Sequence, residues 1–563
     1  MEMDQVLRRA AVAVCIMLSA CAATGPAGAG GVTPGANPYG AFLAARYADA
    51  NGDPAVASEY YTEALRDDPE NPQFIAEGFL AALLAGDPRA ASLAAKVQGN
   101  PLAILLLGDQ AAIGGNYAQA ASIFGTLPHD ELSTLMQPLL LAWAEFGQGN
   151  AQAALSGLGP YFNSGPFGPV YVLNAALLAD AANDLKDAAQ LYAAVDTDAP
   201  NLRQAEILAS WEARQGDSQA AEAELASLVA AHPDLQIALP QLQANMAKPV
   251  VNTARDGMAE AYLTIAGSLD QPSQSFLRVV FLHFALMLRP DLTAARLLLA
   301  SAQTNGDQAS SAAPSASELL NALATLRPVT ASDALYGPAA LQEANLYAAL
   351  NQPVAAVALL DKLIAMNPAD PDLQGDAAEV LRGAGEDAAA IPYYSSAIKS
   401  AGSPPPAGAW TLFFDRAICE DELGNWAEAE PDMREALTLS PEQPYVLNYL
   451  AYSWALRGEK LDAAKAMLER AARLDPNDGA VIDSLGYVNL RQGQVKTALT
   501  LLTQAVQLDP DDAEVNGHLG DAFWQAGQRL QADYQWQRAL SLKPDAKLRA
   551  ELSAKLQRFA PPA

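Results

Sequence analysis

Residues 481–510 read VIDSLGYVNLRQGQVKTALTLLTQAVQLDP, and residues 515–544 read VNGHLGDAFWQAGQRLQADYQWQRALSLKP. The two stretches share a leucine–glycine pair near the start, a second glycine in the middle and alternating small and large apolar residues before a final proline. Four successive stretches of this kind end in a proline, spaced about 34 residues apart: Pro441, Pro476, Pro510 and Pro544. A fixed period of this length indicates a repeated structural unit.

Each unit carries the pattern of two helices. The second helix has a small, a large and a small residue at spacings of four and three, as in Ala498, Leu502 and Ala505. On a helix these positions share one face, and the small residues let a neighbouring helix approach closely. Gly486 holds the small position of the first helix, and Gly493 fits the left-handed end of that helix. The sequence therefore predicts an all-α protein of antiparallel helix pairs.

Upstream copies of the pattern are less regular, and they indicate how the chain is organised. Clear copies end at Pro69, Pro233 and Pro368. We predict the following division: a lipoprotein signal peptide at 1–20, a lipidated Cys and flexible linker at 21–37, divergent repeats at 38–240, middle divergent repeats with loop insertions at 241–408, regular repeats at 409–545, and a capping helix and tail at 546–563.

The overall charge excludes one class of partner. The 563 residues carry 64 acidic and 34 basic side chains, a net charge of -30, and 51% of them are hydrophobic. A chain of this kind can bury a large core, but its acidic surface repels phosphate backbones because nucleic-acid binding needs a local excess of cations. We therefore expect no nucleic acid among its partners.

The N-terminus has the features of a secretory leader that ends at a cysteine. Arg8 and Arg9 precede an apolar stretch at 10–17 that is too short to span a bilayer, and Leu-Ser-Ala-Cys follows at 18–21. This sequence resembles the lipobox of bacterial lipoproteins, which implies that Cys21 carries the lipid. The Gly/Ala/Pro tract after it is typical of a flexible tether. The alternative is an ordinary cleaved signal with an incidental Cys.

The same resemblance implies an address for the chain. Ala22 follows the proposed lipidated residue, and the absence of Asp at this place implies delivery to the outer membrane, on its periplasmic face. Retention at the inner membrane is the less expected outcome. The membrane contact would then run through the N-terminal lipid only.

No pattern in the sequence indicates catalysis, a metal site or a cofactor. The four histidines lie in different repeats without a second ligand at metal-binding spacing. The acidic turns at 475–479 and 509–514 lack the glycine of a calcium loop and stand where a repeat must turn. Cys419 falls among apolar residues at helical spacing, so we interpret it as a small buried side chain. We predict a protein that is not an enzyme.

The repeat resembles the tetratricopeptide repeat (TPR), whose fold is a right-handed superhelix, an α-solenoid with a concave groove. With the lipobox, the segments at 481–487, 509–512, 518–524 and 536–540 are similar to long TPR lipoproteins of Gram-negative bacteria. One such lipoprotein is the outer-membrane adaptor of the carboxyl-terminal processing protease. This resemblance implies a scaffold that recruits periplasmic or envelope proteins, such as a processing protease.

Projection of the first helices of the three most regular repeats predicts which side chains line the groove. Aromatic and arginine side chains at such positions are typical binding anchors, although some of them could instead pack between repeats. The predicted partner-binding residues are Tyr445, Asn448, Tyr452, Asp483, Tyr487, Arg491, Glu514, His518, Asp521 and Trp524.

Three functions remain open at the level of sequence. The first is a lipid-tethered adaptor that recruits a periplasmic protease or another envelope enzyme. The second is a structural component of an outer-membrane machine for the export of polysaccharide or the assembly of outer-membrane proteins. The third is a hydrolase within residues 100–330, where the repeats are weakest.

Overall fold

The computed structural model describes residues 38–195, 201–269, 271–304 and 313–559. Within these ranges the chain forms 30 α-helices and no strand, which confirms the all-α prediction. The predicted signal peptide and tether at 1–37 lie outside the described residues. The chain divides into two units, at 1–359 and 360–563.

The first unit holds the first eighteen helices and the beginning of the nineteenth. Short 3₁₀ turns lie at Gly159–Tyr161, Gly165–Phe167, Pro233–Ala238 and Pro272–Gln274. The helices are α1 Pro38–Ala50, α2 Pro54–Asp67, α3 Pro72–Leu84, α4 Ala90–Ala94, α5 Pro101–Ile113, α6 Tyr117–Phe124, α7 Glu131–Gly147, α8 Ala151–Leu158, α9 Gly168–Ala181, α10 Leu185–Tyr192, α11 Leu202–Gln215, α12 Ser218–Ala231, α13 Leu239–Asn245, α14 Ala254–Ser268, α15 Ser275–Leu288, α16 Thr293–Thr304, α17 Ala316–Leu326, α18 Tyr336–Ala349 and α19 Pro353–Met366.

The second unit continues with helix pairs of more even length. A 3₁₀ turn at Ala407–Ala409 precedes the most regular part. The helices are α20 Pro371–Gly383, α21 Asp387–Ser400, α22 Trp410–Glu422, α23 Trp426–Leu439, α24 Pro444–Arg457, α25 Leu461–Leu474, α26 Gly479–Arg491, α27 Val495–Leu508, α28 Ala513–Gln525, α29 Arg529–Ser541 and α30 Ala546–Phe559.

Close approach of two helices defines each repeat of the second unit. In the pair α26–α27, the stripe of Ala498, Leu502 and Ala505 is fully buried. A Cβ atom added to Gly486 would lie only 2.6 Å from Leu502 Cγ, so the absence of a side chain lets α27 pack directly on α26. Gly520 of α28 faces Trp536 of α29 in the same way. Helices packed along their length and joined by a turn of a few residues are antiparallel.

The first helices of these pairs end as the sequence predicts. The glycine after each of them has a positive φ, which glycine adopts without steric cost. The φ angles are 76° at Gly385, 80° at Gly424, 71° at Gly458, 75° at Gly493 and 79° at Gly527. The sharp turn that follows returns the second helix along the first.

The first unit departs from a simple stack of neighbouring repeats. Helices α14 and α15 pack against helices far earlier in the chain. Gly257 of α14 lies against the indole of Trp143 in α7, and His283 Nε2 of α15 lies 3.0 Å from the Leu84 carbonyl oxygen at the end of α3. In a linear solenoid each repeat contacts only its neighbours. In this unit the middle helices instead fill space between earlier repeats.

A buried charge network holds α14 in this place. The Glu260 side chain is fully buried and pairs with Arg203 of α11 and with Arg289, whose Nη1 lies 3.2 Å from Glu260 Oε1. Buried charges persist in proteins when they are paired and hydrogen-bonded, and the removal of one partner is strongly destabilising. The network therefore ties α14 to the earlier helix α11 and to the end of its neighbour α15.

We expect Gly257→Ala to destabilise the protein, because a methyl group there would overlap the Trp143 indole. Overpacking of this kind costs about 1–3 kcal/mol. Gly267→Ala is the matched control: it lies on the same helix, and a Cβ at Gly267 would have no neighbour within 4 Å. Thermal unfolding followed by circular dichroism should show a lower melting temperature for Gly257→Ala only. Equal melting temperatures for both variants would contradict the packing of α14 on α7.

Candidate functional site

The first helices of the second unit lie on the inner side of its curve. Tyr452 of α24 donates a hydrogen bond to Glu514 of α28, although a whole repeat lies between these helices. Side chains two repeats apart can meet only where the stack curves towards them. The face formed by α24, α26 and α28 is therefore concave, and we call it the inner face.

Five of the predicted residues form one connected group on this face, which we call the inner cluster. Its members are Tyr452, Asp483, Tyr487, Glu514 and His518. The Tyr452 and Tyr487 rings meet edge to face with their centroids 5.6 Å apart. The Tyr487 and His518 rings are tilted, with centroids 4.4 Å apart. The three first helices are thus joined by direct contacts between aromatic side chains.

Electrostatics fix the charge state of His518. Burial alone would lower the pKa of its imidazole, but the neighbouring carboxylates of Asp483 and Glu514 outweigh burial and raise the pKa to about 9. His518 Nδ1 lies 2.7 Å from Asp483 Oδ2. At neutral pH the ring is therefore an imidazolium paired with Asp483. Burial and the Glu514 carboxylate also raise the pKa of the Tyr452 hydroxyl, which remains protonated and donates its hydrogen bond.

Exposed side chains border the inner cluster. Tyr445 stands at the start of α24 with 61% of its surface exposed. Arg491 donates hydrogen bonds from Nη1 to the Tyr487 hydroxyl at 3.0 Å and to the Leu456 carbonyl at 3.3 Å. Asn448 lies about one helical turn after Tyr445 on α24 and is half-buried. Its Oδ1 atom has no hydrogen-bond partner in the structure. The face offers aromatic surface, a guanidinium group and acceptors in a small area.

Two predicted residues do not join this group. Asp521 accepts hydrogen bonds from Trp536 Nε1 at 3.0 Å and from Lys555 Nζ at 2.8 Å. Trp524 stacks near Trp536, with ring centroids 5.4 Å apart, and the Arg529 guanidinium lies 3.5 Å from its ring centroid. Both side chains contribute to the packing of the last repeat with α29 and α30, as the alternative interpretation of such residues allowed.

Acidic residues on α20 occupy positions equivalent to those of the inner-face residues on α24, α26 and α28. They were not among the predicted residues. Glu379 follows the small residue Ala378, as Tyr452 follows Ala451. Asp376 lies near Asp372 and Glu379, and burial together with these like charges raises the pKa of its carboxyl to about 6. Their fixed distance from the small residue of each first helix could have identified these positions from the sequence.

Three further features of the described part of the chain concern metal-binding groups, the free thiol and membrane-spanning helices. It contains no group of three His, Cys, Asp or Glu side chains that could hold a metal ion. Cys419 is buried, and burial, followed by a hydrogen bond to Asp387, raises the pKa of its thiol to about 12. Such a thiol stays protonated and inert at neutral pH. No helix in the described ranges combines the length and apolarity needed to cross a bilayer.

We expect stability to fall as the pH rises from about 6.5 to about 9. The pKa of His518 is raised in the folded state, so its contribution is complete below the pKa of the unfolded chain and is lost as the pH passes the folded value. His518→Gln should flatten this dependence, which we put at roughly 1–3 kcal/mol for one such pair. His232→Gln, at an exposed histidine, is the matched control. Melting temperatures at several pH values that fall equally in all three proteins would contradict the ion pair.

Comparisons with known proteins agree with the repeat. The sequence model described as "Tetratricopeptide repeat" matches residues 42–74, 341–405 and 414–479, and the model described as "TPR repeat" matches residues 486–527. A TPR repeat-containing protein of Pseudomonas aeruginosa is 33% identical over 87 residues. That match covers 16% of this chain and 15% of the relative, so the chain spans far less than two-thirds of the relative's length.

Three solved structures have some similarity to this chain. The Cut9–Hcn1 hetero-tetramer of the APC/C is 15% identical with a TM-score of 0.36, over 93% of this chain and 97% of that one. YrrB, a TPR protein with an unusual peptide-binding site, is 20% identical with a TM-score of 0.28. This match covers 35% of this chain and 97% of YrrB. MamA from Desulfovibrio magneticus RS-1 is 17% identical with a TM-score of 0.27. This match covers 31% of this chain and 94% of the MamA chain. The sequence matches and the helix-pair geometry together show that this chain carries tetratricopeptide repeats.

Proposed function

We propose that the second unit binds a protein partner along its inner face and that the chain is a non-enzymatic scaffold. The observation that carries this proposal is the inner cluster together with its exposed neighbours Tyr445 and Arg491. Tyrosine and arginine are enriched in binding hot spots. Tyrosine buries a large area at low conformational cost, and arginine offers several hydrogen-bond donors in a fixed planar arrangement. Two consecutive first helices, α24 and α26, present such side chains side by side, and α28 adds Glu514 and His518 next to them.

The first unit is a weaker candidate for this role. Asp109 of α5 follows Gly108, so it holds the same register position as Tyr452 on α24. It is fully buried near Tyr262 of α14, and burial raises the pKa of its carboxyl well above its usual range. The chain's own α14 therefore covers the position that a partner would contact. The inner face of the second unit is the better site.

The inner cluster also argues against general-base catalysis. A catalytic base must hold a free lone pair at the working pH. His518 carries a proton on each ring nitrogen at neutral pH, because Asp483 and Glu514 stabilise the imidazolium. Its contacts serve to fix the first helices, and the face around it is suited to binding without turnover.

The acidic residues on α20 suggest which charge the partner carries. Asp372, Asp376 and Glu379 add negative charge to the same side as Glu514. Basic side chains on a partner would be attracted to such a surface, and the attraction would weaken with salt. We therefore favour a partner segment that carries Lys or Arg.

The proposed location rests on the sequence alone. The leader at 1–20 and Cys21 support a lipid anchor, and Ala22 supports the periplasmic face of the outer membrane. The partner would then be a periplasmic protease or another envelope enzyme. A role in an outer-membrane export or assembly machine remains the alternative, and co-purification with a barrel protein or a synthase would favour it.

The partner-binding proposal predicts that Tyr452→Ala/Tyr487→Ala/Arg491→Ala loses its partner. Removal of two aromatic anchors and a guanidinium typically costs more than about 2 kcal/mol, or more than tenfold in affinity. Captures from crosslinked envelope extract, quantified by mass spectrometry, would measure the recovery of each co-purifying protein. We expect at least a tenfold loss for the true partner.

Leu530→Ala/Tyr534→Ala is the matched control for this experiment, because both side chains are exposed on α29, a second helix. This variant should recover the partner in full. Melting temperatures would verify that both variants fold. Equal recovery of every protein by the triple variant and the parent would refute the assignment of the inner face.

The anchor proposal predicts that Cys21→Ser releases the protein from membranes. A serine cannot form the thioether of a lipoprotein, so the acyl chains that hold the protein would be missing. Flotation of cell membranes on a density gradient would separate bound from free protein. The parent should float, and Cys21→Ser should remain at the bottom. The substitution Cys419→Ser is the control, since this buried thiol has no role in anchoring.

A further inference from the structure

The exposed face of α1 carries no charged side chain. The residues on this face are uncharged and are exposed to solvent: Tyr39, Gly40, Leu43, Tyr47 and Ala50. Leu43 is 66% exposed and Tyr47 is 74% exposed, and they lie one helical turn apart. The chain as a whole has a net charge of -30, but this face has none of it.

The charged residues of α1 bind side chains of the next two helices. Arg46 Nη1 lies 3.2 Å from Glu77 of α3, and Asp49 accepts a hydrogen bond from the Tyr61 hydroxyl of α2 at 2.8 Å. These contacts, with the buried Ala41, Ala45 and Ala48, fix the opposite side of α1 on the next helices. The rotation of the helix is therefore set. Leu43 and Tyr47 face solvent, and the partly exposed Tyr39 ring also meets Phe74 of α3 edge to face, with centroids 5.9 Å apart.

A terminal repeat is expected to have a polar outer face, because no further repeat covers it. The last repeat fits this expectation better. Leu530 and Tyr534 are exposed on α29, but Arg529, Gln531 and Gln537 are exposed on the same helix. On α1 the solvent-facing positions at one-turn spacing are Tyr, Leu and Tyr. Exposed apolar stripes of this kind mark a binding surface.

The position of the stripe in the chain indicates what covers it. Only residues 22–37 separate α1 from Cys21. The stretched tether would reach about 55 Å. An anchor at Cys21 would therefore hold α1 close to the bilayer at high effective concentration, where even a weak contact is populated.

We propose that the membrane contact does not run through the lipid alone: the α1 stripe, formed by Tyr39, Leu43 and Tyr47, also lies on the headgroup region of a zwitterionic phospholipid membrane. This inference rests on the lipid anchor proposed above. Tyrosine is favoured at the membrane interface, since its ring is apolar and its hydroxyl remains hydrated. An acidic protein is repelled by anionic lipid, so a face without charge is the one that tolerates contact with a neutral headgroup layer. A second copy of the chain is a less suitable occupant because it carries the same net charge.

The test uses the acylated full chain in phosphatidylcholine vesicles with and without bromine on the lipid chains near the headgroups. Leu43→Trp and Tyr47→Trp place a fluorophore on the stripe, and Leu530→Trp is the matched control at a side chain that is 77% exposed. Emission of the parent is subtracted. The added emission at 43 and 47 should fall roughly twofold in brominated vesicles, as expected for a ring at interfacial depth. The emission at 530 should not change.

Flotation of the same samples separates the two proposals. If the chain floats but positions 43 and 47 are not quenched, the stripe does not contact lipid and this inference is overturned, while the anchor stands. If the chain does not float, the anchor fails and the inference fails with it. Equal quenching at 43, 47 and 530 would also overturn the inference. So would a monomer produced by Leu43→Ser/Tyr47→Ser from a dimeric parent, which would assign the stripe to a second copy.

Discussion

The close approach of the two helices in a repeat is the constraint on which the structure depends. Where the first helix has Gly520, the second helix places the Trp536 side chain directly on its backbone, and Gly486 receives Leu502 in the same way. Packing at interior density leaves no room for a larger residue at these glycines. The paired helices then act as one rigid element, and each new pair packs against the one before it. The inner face exists because these elements stack so that successive first helices α24, α26 and α28 contact one another.

The regular part of the fold could be predicted because its signals are local. The period of Pro441, Pro476, Pro510 and Pro544 reports directly on helix pairs of similar length. Gly424 and Gly493 indicate the turns, because they adopt a backbone conformation that other residues rarely adopt. Such signals need only the residues of one repeat. This is also why the family matches include the regular C-terminal part of the chain.

The filling of the first unit by α14 and α15 could not be predicted in this way. The contact of His283 with Leu84 joins residues 199 positions apart, and no local pattern specifies it. Gly257 within an apolar helix is a hint of close packing, but it does not identify Trp143 as the neighbour. The inner face was predicted better, since five residues meet in the inner cluster. Asp521 was projected correctly onto a first helix, but the pairing with Lys555 of α30 depends on tertiary structure.

The central claim is that a partner contacts the inner face of the second unit, while the first unit is filled by its own helices. Amide hydrogen exchange of the full chain, with and without the captured partner, measures this most directly. Binding should slow exchange in α24, α26 and α28 and leave α3, α5 and α7 unchanged. Protection confined to the second helices α25, α27 and α29, or to the first unit, would contradict the account.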